Sequence, residues 1–319
     1  MKIELLKNMI TKNRTKSETK TDVFQLITDR ILASLEAGTI PWKKGWSASN
    51  QAPRNWEGKI YQGCNWFLLG MASFENPVFV TFKKALDLGG CVRKGEKGLP
   101  VIFWKFLASD KINPANGKAK QIPMLKTFTV FNVSQCDGLP ALPAVKLHEW
   151  DSVEEAERIV AGMPSAPPIS EDGRGKAYYY PASDSVHMPT HKSFFTAEDW
   201  YSTLFHELGH STGHESRNAR DLSGKFGSES YAREELVAEL TAAFLLAHCK
   251  IDALEIDNSA AYIANWTKVL TNDPKAFIWA AGKAQHAARY IMDAETQEEE
   301  ATKPKRPNLA ALPFGAGRP

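Results

Sequence analysis

The residues with the clearest chemical potential lie at positions 204–210, which read Leu204-Phe205-His206-Glu207-Leu208-Gly209-His210. On a helix, positions four apart share one face, so His206 and His210 can offer both imidazoles to one metal ion. Neutral imidazole suits Zn²⁺, with Mn²⁺ or Co²⁺ as substitutes. Glu207 falls beside the pair, placed to take a proton from a water that the metal activates. The chemistry implied is peptide-bond hydrolysis, in which Glu207 is the catalytic residue. The activated water attacks a carbonyl carbon and Glu207 returns its proton to the leaving amine. Tyr231 is the candidate for the oxyanion. Two unrelated surface histidines would also fit the spacing. The cap signal Thr196-Ala197-Glu198-Asp199 and the apolar Trp200, Leu204 and Leu208 instead set the motif in a formed helix.

A catalytic zinc with one open position needs a third protein ligand. A histidine after HExxHxxGxx is ruled out, because that position is Ser216 and His214 comes two residues early, although Gly213 is in place. The better source is the acidic run Glu234-Glu235-Leu236-Val237-Ala238-Glu239 on the following helix. Glu235 and Glu239 lie one turn apart on one face. Glu235 is assigned to the metal and Glu239 to orienting a ligand histidine, with the swapped assignment left open. Glu234 is read as solvated, His214 as a capping or surface residue, and His187 as a surface histidine. Ser185 to Met188 is either an edge strand that pairs with an extended substrate or a plain structural strand.

A second constellation is Trp42-Lys43-Lys44-Gly45-Trp46, followed by Arg54, Trp56, Lys59, Tyr61, Asn65 and Trp66. Residues 1–150 carry 22 Lys and Arg against 12 Asp and Glu, an excess of ten positive charges. The remainder holds 17 basic and 25 acidic residues, so the chain joins a basic half to an acidic one. Six of the nine tryptophans lie in the basic half. Single-stranded nucleic acid binds to such surfaces, with bases stacked on aromatic rings and cations tracking the phosphates. Lys83, Lys84, Arg93, Lys94, Lys97 and Lys105 add charge. For any one tryptophan, burial in a small core fits at least as well as stacking.

The elements that must position these groups follow from periodicity. Val23, Ile27, Ile31 and Leu35 repeat every four residues, with Thr21 as cap and Gly38 and Pro41 as stop. Residues 41–66 read as loop and turn. A strand at Phe79 to Thr81 leads into a short helix at Phe82 to Leu88. Arg93 to Gly98 reads as a hairpin turn before a strand at Val101 to Trp104. A polar loop at Asp110 to Lys120 precedes a strand at Phe128 to Val133. In the second half, helices are expected over Val153 to Ala161, Thr196 through His210, Ala232 to His248, Ala260 to Leu270 and Pro274 to Met292. Strands are expected at Ala177 to Tyr180 and Ser185 to Met188.

The Pro-containing stretch Leu139 to Pro143 marks the boundary between two domains. The expected layout is a flexible basic arm at 1–20, a single-stranded-DNA-binding domain at 21–145, a hydrolase domain at 146–295 and a disordered tail at 296–319. The fold class is α+β. No apolar run approaches the roughly 20 residues that span a bilayer, and the N-terminus lacks a signal peptide, so a cytoplasmic protein without membrane contact is expected. Four scattered cysteines without a CxxC pair suggest neither a disulfide framework nor a cysteine zinc site.

Over roughly residues 20–295 the chain resembles the ArdC-type antirestriction proteins carried by conjugative plasmids. In the front half the resemblance rests on Ile40-Pro41-Trp42, Val80-Thr81-Phe82, Val92 to Gly98 and Val130 to Val133. In the back half it rests on Phe205 to Gly213 and Glu234 to Glu239. It implies a single-stranded-DNA-binding domain related to part of plasmid primases, followed by a zincin-like, gluzincin-like metallopeptidase domain. It further implies protection of incoming plasmid DNA from host restriction. One physical route is direct coating of the entering strand, and a second is cleavage of a host restriction-system or other protein brought close by the DNA. One rival reading is a zinc peptidase that cleaves a DNA-associated regulatory protein. Another is a DNA-binding protein whose zinc domain is purely structural. Glu207 argues against the latter, since holding zinc alone does not require it.

Overall fold

Helix α1 (Val23–Glu36) opens the computed structural model and follows the four-residue repeat, burying Ile27, Thr28, Ile31 and Leu35. Its cap is Asp22, whose side chain accepts from the Phe24 N–H, in place of the expected Thr21. The structure describes residues 22–42, 52–72, 74–112, 119–142, 152–171, 175–225, 227–251 and 259–294. Lys43, Lys44, Trp46, the arm and the tail lie outside them.

The segment read as loop up to residue 66 ends in a helix, α2 (Cys64–Gly70). Cys64 through Leu69 are all buried, so this short helix has no polar face and no amphipathic signature. A four-stranded sheet of β1 (Arg54–Asn55), β2 (Val78–Thr81), β4 (Leu99–Ile112) and β5 (Ala119–Asn132) has the order β1-β2-β5-β4. β1 runs parallel to β2, and the other pairs are antiparallel. After β2 the chain turns into helix α3 (Phe82–Asp87), capped by Thr81. Strand β3 (Cys91–Val92) pairs with β6 (Cys136–Asp137), so Arg93 to Gly98 passes from one sheet to another instead of closing a hairpin. The true hairpin is β4–β5, whose ladder reaches Ile112 and Ala119 inside the segment expected to be loop. Backbone pairing there continues past the stretch where apolar alternation is visible.

β4 lies at the sheet edge, and Asn65 closes that edge. Its Nδ2 donates to the Ile102 carbonyl at 2.7 Å, and its Oδ1 accepts the Ile102 N–H at 2.8 Å. One side-chain amide thus does for both buried backbone groups what a neighbouring strand would do.

The second half starts with α4 (Ser152–Gly162), then a three-stranded sheet of β7 (Ile169–Glu171), β8 (Tyr178–Tyr180) and β9 (Ser185–Met188) in the order β7-β9-β8. Helices α5 (Ala197–Ser211), α6 (Glu229–Cys249), α7 (Ser259–Asn272) and α8 (Ala276–Ile291) follow. α6 is buried along most of its length and packs against α5, α7 and α8.

The larger core does not respect sequence order. Ile27, Ile31, Trp42, Trp66 and Phe67 share it with Leu204, Leu245, Trp266 and Phe277. Trp42 is 0% exposed, and its ring lies 5.2 Å from Trp266 and 5.9 Å from Phe277. Trp66 is 4% exposed and sits 4.9 Å from Phe244. A smaller core of Leu69, Phe79, Leu99, Val101 and Val130 lies under the front sheet. Trp42→Ala is therefore expected to lower stability by about 3–5 kcal/mol in chemical denaturation, as removal of a large buried ring does. A loss below about 1 kcal/mol would contradict the packing.

Candidate metal centre

Helix α5 starts on a capping box. Thr196 Oγ1 accepts from the Asp199 N–H, and the Asp199 carboxylate accepts from the Thr196 N–H. One turn separates His206 from His210, and their rings meet edge to face with centroids 4.7 Å apart. The facing helix α6 approaches closely at Gly209, where a Cβ would stand 3.1 Å from the Ala238 Cα. This approach lets Glu235 reach both imidazoles. Its oxygens lie 3.5 Å from His206 Nε2 and 3.4 Å from His210 Nε2, and the two Nε2 atoms are 3.1 Å apart.

These three residues fit a divalent metal. Donors around a tetrahedral ion with bonds of about 2.0–2.1 Å stand roughly 3.3 Å apart, close to all three separations. Among the described residues, His206, His210 and Glu235 form the set of ligand atoms that a single ion can gather, all within 4.8 Å of one another. The electrostatics agree. Burial disfavours charge on His210, yet the bonds to Glu234 and Glu235 outweigh it and push the ring up to about 10. Burial likewise works against His206, and Glu235 overcomes it. Burial would raise Glu235, but the two histidines hold its carboxyl far below the usual range. A buried anion facing two imidazoles is a cation site in its charge as well as its shape.

A second layer holds the rings. His206 Nδ1 is buried without a hydrogen bond, and Glu239 Oε1 stands 3.5 Å from it at ion-pair distance. The carboxylate directed at the shared space is thus Glu235, with Glu239 behind His206. Glu234, expected in solvent, is instead part of the centre. Its Oε1 lies 3.4 Å from His210 Nδ1, and the buried Arg220 donates to both of its oxygens at 2.6 and 3.0 Å. The same guanidinium donates to the Gly209 carbonyl and to Thr212 Oγ1, tying the loop after α5 to the end of that helix. Nothing in the spacing of Arg220 from Glu234 signals this contact, and Arg220 was not singled out in the sequence.

Glu207 is buried on the wall of a cleft of about 310 Å³ that also takes in Tyr178, Tyr179, Tyr231, His206 and His210. Tyr231 lines the same cleft. The strand Ser185 to Met188 is central and paired on both sides, so it is not the edge. β7 and β8 are the two edge strands, and Tyr178 and Tyr179 of β8 line the cleft. His187 is held internally, stacked on Tyr178 and hydrogen-bonded to Ser170 and Ser185. His214 bonds Ser216 next to the pair of Asp184 and the buried Arg217.

The described front-half residues separate by their surroundings. Trp42 and Trp66 are sealed in the core, where neither face of the ring can meet a base, which corrects the expectation of stacking there. Arg93 is engaged by Asp137, Glu96 and the Ser134 carbonyl and braces the turn after β3, so its guanidinium is not a free phosphate contact. By strand alternation Arg54 points to the opposite sheet face from Asn55 and Phe79. Lys59, Lys94 and Lys97 are exposed. Trp56 and Tyr61 line a groove on the front sheet together with Phe103 and Phe128, two strand residues that no charge or motif marks as part of a site.

Residues 21–131 match the family model of the N-terminal domain of anti-restriction factor ArdC, and residues 154–283 match a zincin-like metallopeptidase model. Two Escherichia coli proteins named DNA primase TraC are similar, at 36% identity over 305 residues and 35% over 303, each across 88% of this chain. The chain spans only 28% and 20% of their lengths. An uncharacterized protein of Sinorhizobium fredii (strain NBRC 101917 / NGR234), y4eC, is 34% identical over 297 residues, covering 88% of this chain and 95% of that one. The crystal structure of antirestriction ArdC from plasmid R388 in metal-free form superposes with a TM-score of 0.70 at 35% identity, over 86% of this chain and 98% of that one. Its Mn(II)-bound form gives 0.69 at 34% identity, over 89% and 100%. No described helix is long and apolar enough to cross a membrane.

Proposed function

This chain belongs to the ArdC family of antirestriction proteins, and from that premise we propose that it protects incoming plasmid DNA from host restriction by joining a single-stranded-DNA-binding region, residues 21–145, to a zinc peptidase centre in residues 146–295. The observation that carries the reading is a partly buried two-histidine, one-carboxylate donor set with Glu207 on the same cleft wall. When bound, zinc supplies a Lewis acid for the water and for the scissile carbonyl. Glu207 accepts the proton of the attacking water and hands it to the leaving amine. Glu239 and Glu234 keep the two imidazoles oriented, with Arg220 holding Glu234 in place. The outer edge of β8 would offer backbone groups to an extended peptide, and Tyr231 on the same cleft would meet the developing oxyanion.

The DNA half of the proposal rests on the excess of ten positive charges and on the aromatic groove of the front sheet. Because Trp42 and Trp66 seal the shared core, the test uses the whole chain. It is expected to bind single strands more tightly than duplex and to lose affinity steadily as salt rises. Equal or stronger duplex binding, or indifference to salt, would remove this half. The biological reading is tested by plasmid transfer into restricting and non-restricting hosts. The wild-type protein is expected to raise transfer only into the former, and equal effects in both would overturn it.

A further inference from the structure

We propose that the groove on the front sheet is a pocket for an unpaired nucleobase, with Phe103 and Phe128 as its stacking surfaces. This rests on the reading that the chain binds single-stranded DNA, and it relocates the contact from the tryptophans to the hairpin. Leu99, Val101 and Phe103 alternate onto one face of β4, matched across the ladder by Val130, Phe128 and Lys126. Leu99, Val101 and Val130 belong to the smaller core, while Phe103 and Phe128 on the same face are each 45% exposed. The core thus runs out into two bare rings, 5.6 Å apart and set at 73° to each other. Tyr61 stands 6.5 Å from Phe103, and Trp56 adds a fourth ring to the wall. The groove encloses about 430 Å³, within the usual range for a small planar ligand.

The rim selects an anion-bearing partner. Lys126 pairs directly opposite Phe103 in the ladder, and Lys105 lies two residues further along the same face, both exposed. Lys84 also stands at the rim, where it neutralises Glu57. Aromatic faces followed along one strand direction by cations match a base with its flanking phosphates. An apolar peptide would fill the rings but leave the lysines without partners. A duplex cannot enter, since its base faces are already stacked.

The test compares binding of the full chain to a short oligothymidylate and to the same strand carrying abasic residues, by fluorescence anisotropy. The wild type is expected to bind the abasic strand about tenfold more weakly, one stacked base's worth of affinity. Phe103→Leu with Phe128→Leu keeps apolar bulk but removes the ring faces. That variant is expected to bind both strands alike, at the wild type's abasic level. Phe103→Tyr with Phe128→Tyr restores a ring and with it the discrimination, which separates stacking from a folding defect. Lys105→Ala with Lys126→Ala is expected to flatten the salt dependence for both strands. Full discrimination in the double Leu variant would overturn the pocket while leaving DNA binding intact. Failure of the wild type to bind either strand would overturn the DNA reading, and the pocket with it.

Discussion

Glu207→Gln is expected to leave the fold and the metal content unchanged and to cut peptidase activity by at least about 10²–10⁴-fold, the range that general acid–base catalysis supplies. The side chain is buried on the cleft wall, so an amide of the same shape fits without a cavity. The amide accepts no proton, and the attacking water keeps both of its own. Hydrolysis of an unfolded protein such as casein, measured beside the metal content of wild type and variant, checks both halves of the statement. Cutting at the wild-type rate would mean that another group is the base. Loss of metal together with activity would mean that Glu207 is a ligand.

The second large effect concerns the ligands. His206→Ala is expected to lower the bound metal from one ion per chain to nearly none, because two donors remain where three converge. Elemental analysis after dialysis reads this directly. Glu235→Ala is expected to weaken binding more than Glu239→Ala. Glu235 stands 3.4–3.5 Å from both Nε2 atoms, whereas Glu239 approaches only the far nitrogen of His206. Loss of such an outer carboxylate costs about 10–100-fold in metal affinity. The reverse order would exchange the two roles.

The parts of the centre legible in the sequence are those fixed by local geometry. His206, Glu207 and His210 are set by helical spacing, and their helix is announced by the Thr196–Asp199 cap. Glu235 was within reach because it sits on the next helix in a short acidic run. Its neighbour Glu234 was misread because solvation depends on Arg220, a loop residue brought in by the chain's return to the end of α5. Strand order is likewise invisible to alternation. Ser185 to Met188 reads correctly as a strand, but nothing local says that it is central and that Tyr178 to Tyr180 forms one of the two edges.

The tryptophans carry the same lesson from the opposite side. A run rich in Trp and Lys has one composition whether its rings face solvent or core. What decides for Trp42 and Trp66 is Trp266, Phe277 and Phe244, contributed by the far half of the chain. Phe103 and Phe128 were each placed on a strand, but their exposure follows from the sheet outrunning its core. The helix at Cys64–Gly70 escaped because a fully buried helix has no polar stripe for periodicity to detect.

X-ray absorption at the zinc edge of the loaded full-length chain tests the central claim most directly. The site described here predicts two imidazole nitrogens and further oxygen donors at about 2.0–2.2 Å, with no sulfur. A sulfur scatterer near about 2.3 Å, or fewer than two imidazoles, would place the metal elsewhere and contradict the assignment of His206, His210 and Glu235.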